Sequence, residues 1–235
     1  MSIKENRKKV VVLTGAGISA ESGIKTFRDS GGLWENHDIM EVASPQGWAK
    51  DPALVLDFYN KRREQLQTVK PNNGHLALVE LEKKFDVHII TQNVDDLHER
   101  AGSTKILHLH GELLKMRSCK YEHLVYDCTG DIKLGDECER GTQLRPHIVW
   151  FGEEVPMMTK AMNIAKEADI FIVVGTSLIV YPAASLIDFV GYDKPKYIVD
   201  PSSPAAYNNG RIKYISENAT TGVPKLVDEL MRDFS

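Results

Sequence analysis

The chain has 235 residues, 42% hydrophobic and 26% charged, with a net charge of -4. That is enough for one large α/β core with a small insert. It argues against a nucleic-acid backbone binder, which shows a basic patch, and no apolar run nears the roughly 18 residues that cross a bilayer. Three clustered cysteines, Cys119, Cys128 and Cys138, are an odd set and give no disulfide framework.

The basic start followed by Val10–Leu13 imitates a signal peptide. Its apolar stretch is too short, and a glycine turn follows at once. Val10–Thr14 therefore reads as the first strand, and the expected location is the cytoplasm. Further strands are predicted over 86–91, 105–109, 147–151, 169–175 and 196–200, with helices over 53–67, 74–84, 158–167 and 221–232. Near-continuous apolar strands alternating with helices predict an α/β class, a Rossmann-like doubly wound parallel sheet. Two stretches interrupt the alternation. The expected division is a nucleotide-binding domain of 1–32, 73–112 and 146–235, and a smaller domain formed by the insertions 33–72 and 113–145.

After the first strand, Gly15-Ala16-Gly17-Ile18-Ser19-Ala20 is the G-x-G-x-x-A dinucleotide turn. Its first glycine allows the tight turn, its second lets backbone approach a pyrophosphate, and its alanine packs helix on strand. A hydride-transfer enzyme would continue into a second strand ending in an acid about 20 residues on. Here Gly23, Gly31 and Gly32 break the chain instead, which ranks a dehydrogenase last. Arg28 is placed to meet a phosphate, or else makes a surface ion pair. Gln92, Asn93 and Asp95 follow a strand end, where open α/β sheets bind ligands; taken singly, Asn93 or Asp95 would also serve as a helix cap. His108 and His110 share one face of an extended chain. His110, next to Gly111, suits a general base. His75, His88, His98 and His123 read as structural.

Five ordered blocks, GAGISAESGIKTFRD, TQNVDDLHERAG, LHLHGEL, RPHIVWFGE and VVGTSLIVYPAA, resemble the signature blocks of the sirtuin family, the NAD-dependent protein deacylases. The resemblance spans nearly the whole chain and is closest to the bacterial and mitochondrial branch that prefers acidic acyl groups. It implies that Gly15, Ala16, Gly17, Ser19, Phe27, Arg28, Gln92, Asn93, Asp95, Gly175, Thr176 and Ser177 contact NAD, with Asp200 and Ala219 added to that set. It further implies that His110 is the catalytic base, with Asn93 beside it. Val149, Trp150, Phe151 and Gly152 would pair with an acyl-lysine protein as an added strand. The implied reaction displaces nicotinamide from the ribose by the acyl oxygen and yields O-acyl-ADP-ribose.

Tyr59 and Arg62, three apart on a predicted helix, share a face. In the acidic-acyl branch such a pair binds the distal carboxylate of succinyl- or malonyl-lysine, a sound use of guanidinium geometry. The alternative is a solvated basic helix face with Lys61 and Arg63. Acetyl groups are kept as a further substrate.

The chain departs from the family at its zinc module. Two C-x-x-C pairs would need cysteine at Glu122 and Gly141. Structural zinc takes four ligands, and Cys119, His123, Cys128 and Cys138 have no recognisable metal spacing, so no bound zinc is expected. Asp200 stands where many members have asparagine. A monomer, with no nucleic-acid or membrane partner, is expected. The competing functions are NAD hydrolysis, protein ADP-ribosylation and non-catalytic NAD sensing.

Overall fold

A computed structural model of the chain describes residues 7–24, 33–34, 37–176, 178, 180–202 and 212–233. In chain order its elements are β1 (Lys9–Thr14), α1 (Ala16–Ala20), β2 (Leu33–Trp34), β3 (His37–Asp38), α2 (Ile39–Val42), α3 (Pro45–Lys50), α4 (Pro52–Thr68) and α5 (Asn73–Leu81). Then come β4 (Asp86–Thr91), α6 (Leu97–Ala101), β5 (Ile106–His108), β6 (Gly111–Ser118), β7 (Val125–Asp127), β8 (Leu144–Ile148) and α7 (Met158–Lys166). The chain finishes with β9 (Ile170–Val174), a 3-10 helix (Ala183–Phe189), β10 (Lys196–Val199), β11 (Ile212–Ile215) and α8 (Ala219–Asp233).

Six strands form a parallel sheet in the order β11-β10-β9-β1-β4-β5. Strand alternation sends Val10 and Val12 to one face and Val11 and Leu13 to the other. The first face packs on Leu78 and Leu81 of α5 and on Val223, Leu226 and Leu230 of α8. The second packs on Ala161 and Ala165 of α7 and on Leu186 and Ile187 of the 3-10 helix. This is the doubly wound architecture that the continuous apolar runs predict. From central β1 the chain steps to β4 on one side and later to β9 on the other. The crevice at such a reversal, beyond the carboxyl ends, is where ligands bind.

One strand expectation is corrected. The stretch 147–151 is not part of this sheet: β8 ends at Ile148 and pairs antiparallel with β6, in a separate three-stranded sheet β7-β6-β8. An apolar run specifies burial, not a partner, and here the run packs against α4. Val149–Gly152 continues as irregular backbone and a turn. The sixth strand, β11, escapes sequence reading because a lysine interrupts the apolar residues of its short IKYI run. Helix α4 begins cleanly: the Asp51 side chain accepts from Leu54 N at 2.9 Å, and Pro52 occupies its first turn. Its buried face carries Val55, Phe58, Tyr59, Arg62, Arg63 and Leu66.

Candidate active site

The candidate residues follow the carboxyl ends of neighbouring parallel strands: Gly15 after β1, Gln92 after β4, Gly175 after β9, Asp200 after β10 and His110 two residues beyond β5. Parallel pairing puts all of these ends on one edge. There the backbone itself is interlocked. Gly15 N donates to Val174 O at 3.0 Å and Gly17 N to Gly175 O at 2.8 Å. A Cβ on Gly17 would lie 2.6 Å from Gly175 Cα, and one on Gly15 2.6 Å from Thr176 Cβ. Gly175 has φ +62 and a Cβ there would meet Ile18 N at 2.4 Å. The two turns therefore cross at a separation only glycine permits. This bare backbone is a fitting cradle for a pyrophosphate.

Polar side chains tie this crossing to the end of β4. Asn93 Nδ2 donates to Gly15 O and to Ser19 Oγ, both at 3.1 Å, and Ser19 Oγ donates to Asp95 Oδ2 at 3.0 Å. Asp95 also accepts from Leu97 N, the first residue of α6, at 3.2 Å, so it ties that helix to the site. Burial pushes its carboxyl above the ordinary carboxylate range, against those two hydrogen bonds. Gln92 Nε2 donates to Thr176 Oγ1 at 3.2 Å. Behind them runs a buried chain that sequence reading missed. Asn93 N donates to Thr91 Oγ1 (3.0 Å), Thr14 Oγ1 donates to Thr91 Oγ1 (2.8 Å), and Thr14 Oγ1 meets His98 Nε2 at 3.1 Å. The available signal was threonine at the last position of two adjacent strands, β1 and β4.

His110 Nδ1 lies 3.0 Å from Gln92 O. A carbonyl only accepts, so Nδ1 carries the proton and Nε2 is left as the basic nitrogen. Burial lowers the His110 pKa below 6.5 by more than that hydrogen bond raises it, and so favours the neutral ring. Val149 N donates to His110 O at 2.9 Å, bringing the 149–152 segment alongside the histidine. Phe151 N donates to Ala43 O at 2.9 Å, and Gly152 turns with φ +91. Trp150 is fixed by groups sequence reading did not single out. Glu153 accepts from Trp150 N (2.8 Å) and from both Arg145 and Arg117, and the Arg145 guanidinium lies 3.2 Å over the indole ring. Such a cluster is a polar network in which one carboxylate serves two guanidinium groups, while Nε of Arg117 and of Arg145 is buried without a hydrogen-bond partner.

Trp150 Nε1 donates to the Tyr59 hydroxyl at 3.1 Å. Tyr59 is fully buried, and desolvation raises its phenol well above the usual tyrosine range, so it stays protonated and able to donate. Arg62, 9% exposed, stacks its guanidinium 5.5 Å over the Phe58 ring. It lines a cavity of about 30 Å³ with Asp95, Val94, Leu113 and Ile24. Tyr59 and Arg62 thus lie on the buried face of α4, and not on a solvated basic face, with Arg62 on the cavity that Asp95 also lines. Asp200 is buried and accepts from Ser202 N at 2.9 Å, and Ala219 is buried at the head of α8. Phe27, Arg28 and Ser177 lie outside the described residues.

The cysteines do not converge as a donor set. Cys128 Sγ donates to Gly130 O at 3.3 Å, while Cys138 Sγ meets Thr142 Oγ1 at 3.1 Å, which in turn bonds Ser118 Oγ at 2.7 Å. Among the described residues no three metal-ligating side chains gather. Four ligands are what structural zinc requires, and these thiols do not supply them.

A model of the Sir2 family matches residues 15–182. The NAD-dependent protein deacylase of Helicobacter pylori is 58% identical over 224 residues, covering 95% of this chain and 96% of that protein. That of Bacteroides thetaiotaomicron is 51% identical, covering 93% and 96%. Among solved structures, a Sir2 homologue in complex with NAD has a TM-score of 0.87 at 38% identity, covering 98% of this chain and 92% of that one. A Sir2–p53 peptide–NAD+ complex has a TM-score of 0.77 at 30% identity, covering 100% and 99%.

Proposed function

This chain belongs to the Sir2 family and is an NAD-dependent protein deacylase, and from that premise we propose that it removes succinyl and malonyl groups, and acetyl groups as well, from protein lysines. NAD, when bound, supplies a ribose carbon from which nicotinamide can be displaced. The glycine crossing of Gly15, Gly17 and Gly175 would receive its pyrophosphate, with Ala16, Thr176 and the sequence-assigned Phe27, Arg28 and Ser177. Ser19, Gln92, Asn93 and Asp95 would orient the ribose and nicotinamide end, and Asp200 and Ala219 the adenosine end. His110 Nε2 would take a proton from a ribose hydroxyl, a step that requires the neutral ring. Asn93, bonded to Gly15 O and Ser19, would hold its amide beside that chemistry.

Substrate lysine would enter along Val149, Trp150, Phe151 and Gly152 as an added strand. The N–H groups of Val149 and Phe151 are already bonded inward, so the peptide would pair through carbonyls and Gly152. The acidic-acyl reading rests on one observation: the Tyr59–Arg62 pair lies buried on α4, with Tyr59 a protonated donor bonded to Trp150 and Arg62 on the cavity that also touches Asp95. A buried guanidinium beside a neutral phenol suits a carboxylate and offers little to a methyl group. We also propose the two-domain division 1–32, 73–112 and 146–235 against 33–72 and 113–145, with no structural zinc in the second.

The test is turnover of matched succinyl-, malonyl- and acetyl-lysine peptides with NAD. Arg62→Met should cut desuccinylation about 10- to 100-fold more than deacetylation, the worth of one charge-assisted pair. Equal loss on all three peptides would overturn the acyl preference. NAD cleavage with no peptide deacylated would favour hydrolysis or ADP-ribosyl transfer.

A further inference from the structure

The 92–96 segment that carries Gln92, Asn93 and Asp95 has no regular secondary structure. No strand ladder fixes its carbonyls, so donors from outside the segment must. Val94 O is taken by Leu113 N at 2.8 Å and Gln92 O by His110. Asn93 O is taken by His108 Nδ1 at 3.1 Å, and the other ring nitrogen of His108, Nε2, lies 2.8 Å from Glu99 Oε1. Both partners only accept. A neutral imidazole donates from one nitrogen, so it satisfies one of them and presents a lone pair to the other. The geometry calls for the imidazolium.

We propose that His108 is a positioning residue for deacylation: as a cation held between the Asn93 carbonyl and the Glu99 carboxylate, it fixes the segment that presents Asn93 and Asp95. The role is distinct from the base role of His110, and it does not depend on acyl preference. The surroundings sustain the charge. The His108 ring is nine-tenths buried, which alone would lower its pKa; the hydrogen bond and charge of Glu99 on α6, the Asn93 carbonyl and Glu112 on β6 outweigh burial and raise it above 6.5. His98 on α6, held neutral, and Lys115 on β6, acting on Glu99, are the other titratable groups that face this site. In return, the cation favours the ionised form of buried Asp95. When His108 loses a proton, one of its two hydrogen bonds becomes a repulsive contact and Asp95 loses the His108 charge that favours its ionised form. Turnover therefore falls on the alkaline side.

The experiment is kcat/KM for an acetyl-lysine and a succinyl-lysine peptide with NAD from pH 6 to 9.5, with thermal melts, for wild type, His108→Gln and Glu99→Gln. The pH profile of kcat/KM reports groups of the free enzyme. Wild type should show an alkaline limb. Glu99→Gln keeps a hydrogen-bond acceptor but loses the countercharge, so the limb should move down by about one pH unit. His108→Gln should lose about tenfold or more in kcat/KM and the limb with it. A merely structural histidine would change the melt and leave the limb in place. The proposal is overturned by a wild type without the limb, by a limb at the same pH in Glu99→Gln, or by a folded His108→Gln with wild-type kcat/KM. If His108→Gln does not fold, the Glu99→Gln limb decides alone.

Discussion

His108 and His110 donate through the same ring nitrogen, Nδ1, to consecutive carbonyls, Asn93 O at 3.1 Å and Gln92 O at 3.0 Å. Their far nitrogens differ. His108 Nε2 faces Glu99, while burial without a carboxylate partner lowers the His110 pKa. One strand edge thus holds a cation and a neutral base two residues apart, the separation of pKa values that marks a divided chemical role. His110 must be neutral to act, so activity should rise with pH through a value below 6.5 and hold until the alkaline limb sets in. A pH profile of kcat/KM should show this acid limb, and His110→Ala should abolish deacylation at every pH while leaving the thermal melt near wild type. Residual turnover with an unchanged acid limb would remove His110 from the base role.

The second glycine of the turn has two jobs, and they can be separated. Phosphate approach accounts for Gly17 only when ligand is present. The 2.6 Å separation between a Gly17 Cβ and Gly175 Cα exists without any ligand. Gly17→Ala must therefore push two backbones apart, at about 2 kcal/mol, and should lower the melting temperature of the ligand-free protein by roughly 4–8 °C. NAD titration by calorimetry should show weakened binding as well. An unchanged ligand-free melt with weakened NAD binding would leave phosphate approach as the sole reason for the glycine.

The parallel sheet and the place of His110 beyond a strand end were legible because each depends on local signals. Continuous apolar strands fix the layer, and Gly111 after His110 marks the break between β5 and β6. What stayed hidden depends on partners distant in sequence. Nothing in RPHIVWF tells that its strand pairs antiparallel with β6. The Gly17–Gly175 crossing joins residues that sequence assigns separately to one ligand. Thr14 and Thr91 look like ordinary strand residues until parallel pairing aligns them, after which their hydroxyls bond and support Asn93. His98 reads as structural in both views, yet it sits at the foot of that same chain.

Acid should unfold the protein through its buried histidines before most carboxylates titrate. His75 is fully buried and desolvation lowers its pKa from 6.5 to about 4; His98, its ring centroid 4.9 Å away, is lowered well below 6.5 by burial and by the charges of His75 and His108. The unfolded chain takes up these protons near pH 6.5 and the folded one does not. Stability is therefore full above pH 6.5 and declines as pH falls toward about 4. His75 alone accounts for roughly 3 kcal/mol across that window. Urea midpoints at pH 7.5, 6 and 5 should fall in that order, and His75→Gln should flatten the slope. A midpoint that is constant from pH 7.5 to 5 would contradict the buried-neutral assignment.

In the 113–145 stretch, hydrogen bonds engage the thiols of Cys128 and Cys138. Thr142 Oγ1 links Ser118 Oγ and Cys138 Sγ, and its bond is the largest influence that brings the Cys138 thiol from 9.0 down to about 7. Thr142→Val removes the link while keeping the shape. It should cost about 1 kcal/mol and raise the pH midpoint of Cys138 alkylation toward the ordinary thiol value, read in a Cys119→Ser background. The same protein should carry no stoichiometric zinc in metal analysis, and a chelator should leave its melt unchanged, because two of these thiols already spend their contacts on Gly130 and Thr142. Zinc at one per chain, with a melt that collapses on chelation, would mean that these side chains rearrange into a ligand set.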